Sequence, residues 1–233
     1  MISIHKSEER GAGSHGWLEA KHSFSFGGYY NPQRMGFGPL RVINQDRIAE
    51  GRGFGAHGHR DMEIITYVVS GSLQHRDSMG NGSILRQGDV QRMSAGTGVE
   101  HSEINPDPAA ELRLFQIWIE PSKKGLAPGY AERHFTDADK RGRLALLASP
   151  DGRDGSLSIA QDAFLLSGIL EAGDAIQRPL GAGRLGYLHV VRGELSVNGK
   201  RLMEGDAAEL VGEASVVLEN ASAAEVLLFD LPA

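Results

Sequence analysis

The 233-residue sequence contains no cysteine, which excludes disulfide bridges, thiolate metal sites and cysteine nucleophiles. Any bound metal must therefore be held by nitrogen and oxygen ligands. No apolar run approaches the length that spans a bilayer, and the first residues lack the apolar core of a signal peptide. We expect a cytoplasmic protein that does not enter a membrane.

Positive charge is also scarce. The 24 Lys and Arg residues are outnumbered by 30 Asp and Glu residues, which leaves a net charge of −6 and no basic run. Such a surface repels a nucleic-acid backbone. We therefore expect no direct binding of DNA or RNA, and we expect a monomer.

Glycine, by contrast, is abundant, with 31 residues against 9 prolines. The glycines separate short segments rich in Val, Ile, Leu and aromatic residues, of which 62–70 is typical. This pattern predicts an all-β protein built from many short strands. We expect an N-terminal domain over 1–120, a linker over 121–143 and a C-terminal domain over 144–233, on which the segment 1–30 could pack.

The two halves of the sequence resemble diverged repeats. Residues 67–73 (YVVSGSL) align with 189–195 (HVVRGEL), and Gly88-Asp89 aligns with Gly205-Asp206. Metal-ligating residue types of the first half have no counterpart in the second, where the aligned positions are Pro179, Gly181, Leu185, Leu218 and Asn220. Only the first half is therefore expected to carry chemistry.

Two pairs of residues stand out in that first half: His57-Gly58-His59 and His101-Ser102-Glu103. Residues i and i+2 of a strand project to the same face, so each pair would present two side chains side by side. One His-x-His among nine histidines is a weak signal, and the second pair at the same spacing is what favours a metal site. Imidazole and carboxylate ligands suit several transition metals and do not select one.

Residues 51–71 also fit the first motif of the cupin superfamily. The second cupin motif, over 88–101, is altered, because Ser94 stands in place of a proline and the histidine comes late, at His101. In generic cupins the glutamate of the first motif, here Glu63, completes the ligand set.

The altered stretch, SAGTGVEHSE from Ser94 to Glu103, resembles the signature of the pirin family, the bicupins that include bacterial quercetin 2,3-dioxygenases. Further stretches agree in order: HGWL (15–18), HSFSF (22–26), LRVIN (40–44), QIWI (116–119) and LFDL (228–231). The resemblance is dense over 5–120 and thinner afterwards. It implies two tandem cupin (jelly-roll-like) β-barrels, of which the N-terminal one binds metal and the C-terminal one is degenerate.

The same resemblance implies that His57, His59, His101 and Glu103 hold one divalent transition metal. Fe(II) is the expected ion, with Cu, Mn, Ni, Co and Zn as alternatives. Glu63 would lie nearby and orient a ligating imidazole, or it would replace Glu103 as a ligand, since spacing alone does not decide between the two.

The resemblance implies a metal-dependent dioxygenase activity. Such an enzyme opens a ring of flavonols such as quercetin, with dioxygen as co-substrate. The metal would lower the pKa of the flavonol 3-hydroxyl, and Glu103 could accept the proton. Apolar residues of the barrel wall would hold the flat substrate. The candidates for this pocket are Phe54, Ile65, Tyr67, Met93, Phe115 and Ile117.

Two other functions compete with this one. Some pirin-like proteins are described as iron-binding redox sensors that contact regulatory protein partners, so a binding protein is the alternative. Another small-molecule reaction in the same site is the third, since fold and ligands do not determine the substrate.

An aromatic-rich segment near the N terminus could also line a pocket; its members are Trp17, Phe24, Phe26, Tyr29 and Tyr30. We favour the interpretation that it covers the space between the two lobes. His22, which lies within it, is interpreted as a packed imidazole, and His75 as a structural or surface residue, because neither has a paired ligand at strand spacing.

Overall fold

The computed structural model describes all 233 residues, and most of them lie in strands, which confirms the all-β prediction. The chain forms two compact units. The N-terminal unit comprises Gly11–His134 with Ile159–Gln161, and the C-terminal unit comprises Met1–Arg10, Phe135–Ser158 and Asp162–Ala233. None of the helices is long and apolar enough to cross a membrane.

Twenty strands run along the chain: β1 (Ile2–His5), β2 (Gly11–Ser14), β3 (Leu18–His22), β4 (Leu40–Ile48), β5 (Gly53–His59), β6 (Glu63–Ser70), β7 (Ser72–Asp77), β8 (Gly82–Arg86), β9 (Asp89–Ser94), β10 (Val99–Ile104), β11 (Leu112–Ile119), β12 (Gly129–His134), β13 (Leu144–Ser149), β14 (Leu157–Ser158), β15 (Phe164–Leu170), β16 (Ile176–Pro179), β17 (Arg184–Val197), β18 (Lys200–Met203), β19 (Ala207–Val211) and β20 (Ser215–Pro232). A single α-helical turn, α1 (Asp137–Lys140), and two 3-10 turns, Ser7–Glu9 and Arg153–Gly155, complete the structure.

Two sheets face each other in the N-terminal unit. One has seven strands in the order β12-β9-β6-β11-β4-β3-β2, and the other has four in the order β5-β10-β7-β8. Leu73 and Leu85 of the smaller sheet pack with Leu18, Val68 and Leu114 of the larger one in a buried apolar cluster. Burial of these side chains holds the two sheets together.

The C-terminal unit is one nine-stranded sheet in which two long strands, β17 and β20, pair along most of their length. Its buried leucines, valines and alanines form one continuous core. Leu218, which aligns with a histidine of the first half, is fully buried in that core. An apolar side chain thus replaces a ligand-type residue at this position.

Backbone contacts repeat between the two units at the aligned positions. Gly88 N–H donates to the Val68 carbonyl at 3.3 Å, and Gly205 N–H donates to the Val190 carbonyl at 2.9 Å. The aligned glycines Gly71 and Gly193 both have positive φ angles, 80° and 72°. A Cβ at either would lie within 2.6 Å of a carbonyl oxygen, which only glycine avoids.

The segment 121–143, which the sequence analysis predicted as a linker, contains ordered elements in the structure. Gly129–His134 forms β12, which pairs with β9 at the edge of the N-terminal unit. Asp137–Lys140 forms α1, capped by the Thr136 hydroxyl. The polar composition of the segment 121–143 reflects the position of β12 as an exposed edge strand, with one side open to solvent. In the sequence alone, such a polar pattern resembles that of a linker.

Candidate metal centre and its cavity

Strands β5 and β10 bring the two predicted pairs together. They are antiparallel, with His101 opposite His57 and Val99 opposite His59. His57 and His59, two residues apart on one strand, project to the same face. The register shifts by one residue between His101 and Glu103, so that Glu103 lies opposite Phe54.

The three imidazoles converge on one point. His101 Nε2 lies 3.1 Å from His57 Nε2 and 3.0 Å from His59 Nε2. One ligand atom from each ring falls within 4.8 Å of the others. His57 Nδ1 lies 2.8 Å from the Gly55 carbonyl oxygen, which makes it the donor nitrogen and leaves the lone pair of that ring on Nε2.

Burial keeps two of these rings neutral. Burial, with a smaller contribution from His57, lowers the pKa of His59 to about 4. Burial and then the neighbouring imidazoles lower the pKa of His101 to about 3. Neutral imidazole is the form that ligates a metal, so protons do not compete for these nitrogens near pH 7.

A bound transition metal explains the positions of these three ring nitrogens better than hydrogen bonds among the rings do. His101 Nε2 can share a proton with one neighbour, whereas two ring nitrogens lie within 3.1 Å of it. Its Nδ1 is buried and has no hydrogen-bond partner. Two nitrogens that are each about 2.1 Å from one ion and at right angles stand about 3.0 Å apart, which matches the distances from His101 Nε2 to His57 Nε2 and to His59 Nε2. The triad therefore fits a mononuclear site with further coordination positions open.

Glu103 lies beside the triad. Its carboxylate is outside the group of ligand atoms that fall within 4.8 Å of one another, although the residue lines the same cavity. Gln116 Nε2 donates to both carboxylate oxygens, at 2.8 and 3.1 Å, and the Thr66 hydroxyl donates to one at 3.3 Å. Burial raises the pKa of Glu103, and the hydrogen bond from Gln116 opposes that rise. Coordination by Glu103 stays a prediction.

Glu63, the alternative ligand, is held elsewhere. Its carboxylate accepts hydrogen bonds from the Ser94 hydroxyl at 2.7 Å and from the Ala160 backbone, and burial raises its pKa. It neither belongs to the imidazole group nor lines the cavity. The prediction that Glu63 ligates the metal or orients a ligating imidazole is wrong. The reason is the turn at Asp61, where φ is 49°, because β6 continues in the other sheet.

A second layer, which sequence reasoning missed, lies behind His101. His75 is fully buried, with its ring centroid 5.5 Å from that of His101, and it stacks on Tyr130 at 4.8 Å. His75 Nε2 lies 3.1 Å from the Asp77 carboxylate. The sequence signal for His75 is Asp77, which follows two residues later on the same strand, whereas its position opposite Glu103 depends on the pairing of β7 with β10.

A cavity of about 540 Å³ opens onto the triad, with His57, His59 and Glu103 in its wall. This volume suits a small organic ligand. Trp118 meets the His59 ring edge to face, with centroids 5.0 Å apart, and Trp17 meets Phe54 in the same way at 5.2 Å. The candidate metal centre therefore faces a space with aromatic walls.

Of the six predicted pocket residues, only Phe54 lines this cavity. Four others are buried: Ile65, Tyr67, Phe115 and Ile117. They alternate along β6 and β11 with residues that face the cavity or Glu103. Alternate residues of a strand point to opposite faces, so these four lie on the face of the sheet away from the cavity. Met93 packs in an apolar cluster with Ile64 and Val99. The prediction of these five is wrong. Both faces of these strands carry apolar residues, so the sequence does not show which of two alternating sets of side chains faces the cavity.

The aromatic segment near the N terminus supplies part of the wall. Trp17, Phe26 and Tyr29 line the cavity, as the less favoured of the two interpretations of this segment expected. Phe24 is buried outside the lining, and Tyr30 is 73% exposed. The segment reaches the site because β3 pairs with β4, which pairs with β11.

Comparison with known families assigns both halves of the chain. Residues 4–119 match the model of the family Pirin, and residues 146–231 match that of the quercetinase C-terminal cupin domain. The chain belongs to the pirin family. The predicted architecture of two tandem cupin domains is thereby confirmed.

Relatives of this pirin-family chain match along its whole length. It is 46% identical over 232 residues to a protein of Escherichia coli (strain K12) named quercetin 2,3-dioxygenase, covering 100% of the chain and 99% of the relative. It is 44% identical over 231 residues to a pirin-like protein of Caulobacter vibrioides, covering 99% of each. The crystal structure of the bacterial pirin YhhW from Escherichia coli in complex with nickel(II) superposes with a TM-score of 0.95, at 44% identity, over 100% of this chain and 99% of that one.

Proposed function

We propose that this chain is a metal-dependent dioxygenase that opens a ring of flavonols, of the quercetin 2,3-dioxygenase type. One observation carries the proposal: three imidazoles converge at the wall of an aromatic-lined cavity that also contains a buried carboxylate. The full-length relatives named quercetin 2,3-dioxygenase support the same reaction.

His57, His59 and His101 would hold a divalent transition metal. Such an ion, when bound, supplies Lewis acidity toward a substrate oxygen and open positions for dioxygen chemistry. The nickel(II) complex of the related pirin YhhW supports the binding of a divalent transition metal. The expectation of Fe(II) stays a prediction.

Glu103 is the group that would accept the proton of the flavonol 3-hydroxyl. A carboxylate whose pKa is raised by burial is a better base than an exposed one, because its charge is less well solvated. Gln116 keeps the carboxylate fixed in orientation by donating to both oxygens. Proton transfer would therefore need no rearrangement of the site.

The cavity wall would position the substrate. Trp17, Phe54 and Trp118 present edges and faces that pack against flat rings, and their burial of the substrate would exclude water from the reacting atoms. In the overall reaction one flavonol and one dioxygen give a ring-opened ester and one carbon monoxide, so both oxygen atoms enter products.

The test is oxygen uptake together with carbon monoxide release on addition of quercetin. The metal-free protein is loaded separately with Ni, Fe(II), Mn, Co, Cu or Zn, and the loaded protein is compared with the chelated one. We expect one carbon monoxide per oxygen consumed with at least one metal, and none in the His59→Ala variant. Uptake by no loaded form, when the metal content is stoichiometric, would refute the proposed activity.

A further inference from the structure

A third pair of ligand-type residues at strand spacing, His75 and Asp77, lies on β7 beside the candidate metal centre. β7 pairs with β10, and the register places Asp77 opposite His101 and His75 opposite Glu103. Residues directly opposite each other in paired strands project to the same face, with Cβ atoms about 4.5–5.5 Å apart. His75 and Asp77 therefore lie on the inner face of the four-stranded sheet, next to the third imidazole of the triad.

The Asp77 side chain has no exposed surface. Its carboxylate accepts hydrogen bonds from the backbone N–H groups of Met79, at 2.9 Å, and Asn81, at 3.0 Å. The Asn81 side-chain amide donates to both carboxylate oxygens, at 2.9 and 3.1 Å. N–H donors stabilise the ionised form of a carboxylate, so these contacts favour a negative charge on Asp77. None of these donors is itself charged, so they do not neutralise it.

His75 connects this carboxylate to the imidazole triad. Its Nε2 lies 3.1 Å from Asp77 Oδ2, and its Nδ1 lies 3.3 Å from the Gln91 side-chain nitrogen. Nε2–H therefore donates to Asp77 while Nδ1 accepts from Gln91, which fixes the ring in one neutral tautomer. The same ring stacks on Tyr130, and its centroid lies 5.5 Å from that of the His101 ring.

His101 lacks the direct partner that a metal-ligating imidazole usually has. Its Nδ1 is buried and makes no hydrogen bond. In most metal sites the second ring nitrogen donates to a carboxylate or a carbonyl, which strengthens the first nitrogen as a ligand. Here the carboxylate opposite His101, that of Asp77, is bonded to His75 instead, and it attracts positive charge on His101 through space.

Stabilisation of the turn 77–81 does not by itself account for this arrangement. Asp107 closes a turn of the same unit in the same way, by accepting from the backbone N–H groups of Ala109 at 2.9 Å and Ala110 at 3.0 Å. No histidine is bonded to that carboxylate. The additional feature at Asp77 is the buried ring of His75, which lies between the carboxylate and the ring of a predicted ligand.

We propose that Asp77, held in orientation by His75, is a positioning residue of the metal centre that supplies a buried negative charge beside His101 and thereby favours the higher charge state of the bound ion. This inference rests on the proposed function, because it needs the metal site, and it names the group that tunes that site. A fixed charge acts more strongly on a cation in a buried site than in water. Loss of the charge should therefore weaken the binding of ferric iron more than that of ferrous iron.

The test is the reduction potential of iron bound to the full chain, measured together with the dissociation constant for Fe(II) without oxygen. Asp77→Asn removes the charge and keeps a side-chain oxygen that can close the turn. We expect the preference for ferric over ferrous iron to fall roughly tenfold, the lower limit for partners of metal ligands. A tenfold change corresponds to a rise of about 59 mV in a one-electron potential.

Asp77→Ser is the second variant, because serine also closes turns through its side-chain oxygen and carries no charge. It should raise the potential by a similar amount even if Asp77→Asn does not fold. Asp107→Asn is the matched control, since it removes one negative charge from a turn of the same unit that has no histidine bonded to it. This variant should keep the wild-type potential.

An unchanged potential in the folded Asp77 variants would overturn the inference. An equal loss of affinity for both oxidation states would do the same, because it is the result expected of a purely structural residue. Either result would leave the proposed function standing. A wild type that binds no iron would also overturn the inference, and carbon monoxide release from quercetin by the same protein loaded with nickel would then show that the proposed function survives. Without that release, both proposals fail together.

Discussion

Gln116 and Glu103 lie on opposite sheets of the N-terminal unit and are hydrogen-bonded to each other. The Gln116 amide donates to both carboxylate oxygens of Glu103, at 2.8 and 3.1 Å. Both side chains are buried. This pairing joins the strand that carries the third histidine to the strand that carries Trp118. It gives one of the two buried glutamates of this unit a fixed orientation in the cavity, whereas Glu63 is held by Ser94 outside it.

The two glutamates should therefore respond differently to the same substitution. Glu103→Gln removes the proton acceptor, and we expect quercetin turnover to fall by about 10²-fold or more. Glu63→Gln, the matched control, should keep turnover within a few-fold of wild type. The measurement is oxygen uptake at equal metal content, and equal losses in the two variants would contradict this assignment.

Metal binding should depend on each of the three imidazoles. His59→Ala or His101→Ala leaves two ring nitrogens, and we expect metal content after dialysis to fall well below one equivalent while the wild type retains it. The wild type should also gain thermal stability on metal addition, since a ligand that binds only the folded state raises the melting temperature. His134→Ala, at an exposed imidazole, is the control. Full metal retention by the triad variants would contradict the predicted site.

The metal-free protein should lose stability as the pH falls. The pKa of His59 is about 4 and that of His101 about 3 in the folded chain, both below the ordinary value of 6.5. The unfolded chain therefore takes up these protons first, and unfolding is favoured progressively from pH 6.5 down to these values. We expect His101 alone to contribute a slope of about 1 kcal/mol per pH unit in that window.

Denaturant titrations at several pH values between 7 and 4.5 measure this slope. His101→Leu should flatten it, because the variant has no group to protonate at this position. His134→Gln, at an exposed position, serves as control. A slope in His101→Leu as steep as that of the wild type would show that other groups account for the acid sensitivity.

The close approach of β5 to β10 should tolerate no side chain at Gly53. A Cβ there would lie 2.2 Å from the carbonyl oxygen of Glu103. We expect Gly53→Ala to lower the free energy of unfolding by about 1–3 kcal/mol and to reduce metal content, because β10 carries His101. Gly58→Ala is the matched control on the same strand, since its nearest neighbour would be 3.8 Å away. Thermal melts and metal analysis check both, and equal behaviour would contradict the argument.

Local sequence determined the all-β class and the shared strand face of His57 and His59. Glycine-punctuated apolar segments specify short strands, and an i, i+2 pair shares one face of a strand whatever the strand pairs with. The loss of ligands from the second half is equally visible in the sequence, because it depends on residue type alone.

Tertiary structure decided what depends on pairing between distant strands. The turn at Asp61 places Glu63 in the other sheet. The short separation of Glu63 from His57 along the sequence therefore did not predict where its side chain lies. The pocket residues on β6 and β11 were assigned to the wrong face because both faces of those strands are buried, so hydrophobicity does not reveal which one borders the cavity. His75 and Gln116 come together with Glu103 only through sheet register, which no local pattern encodes.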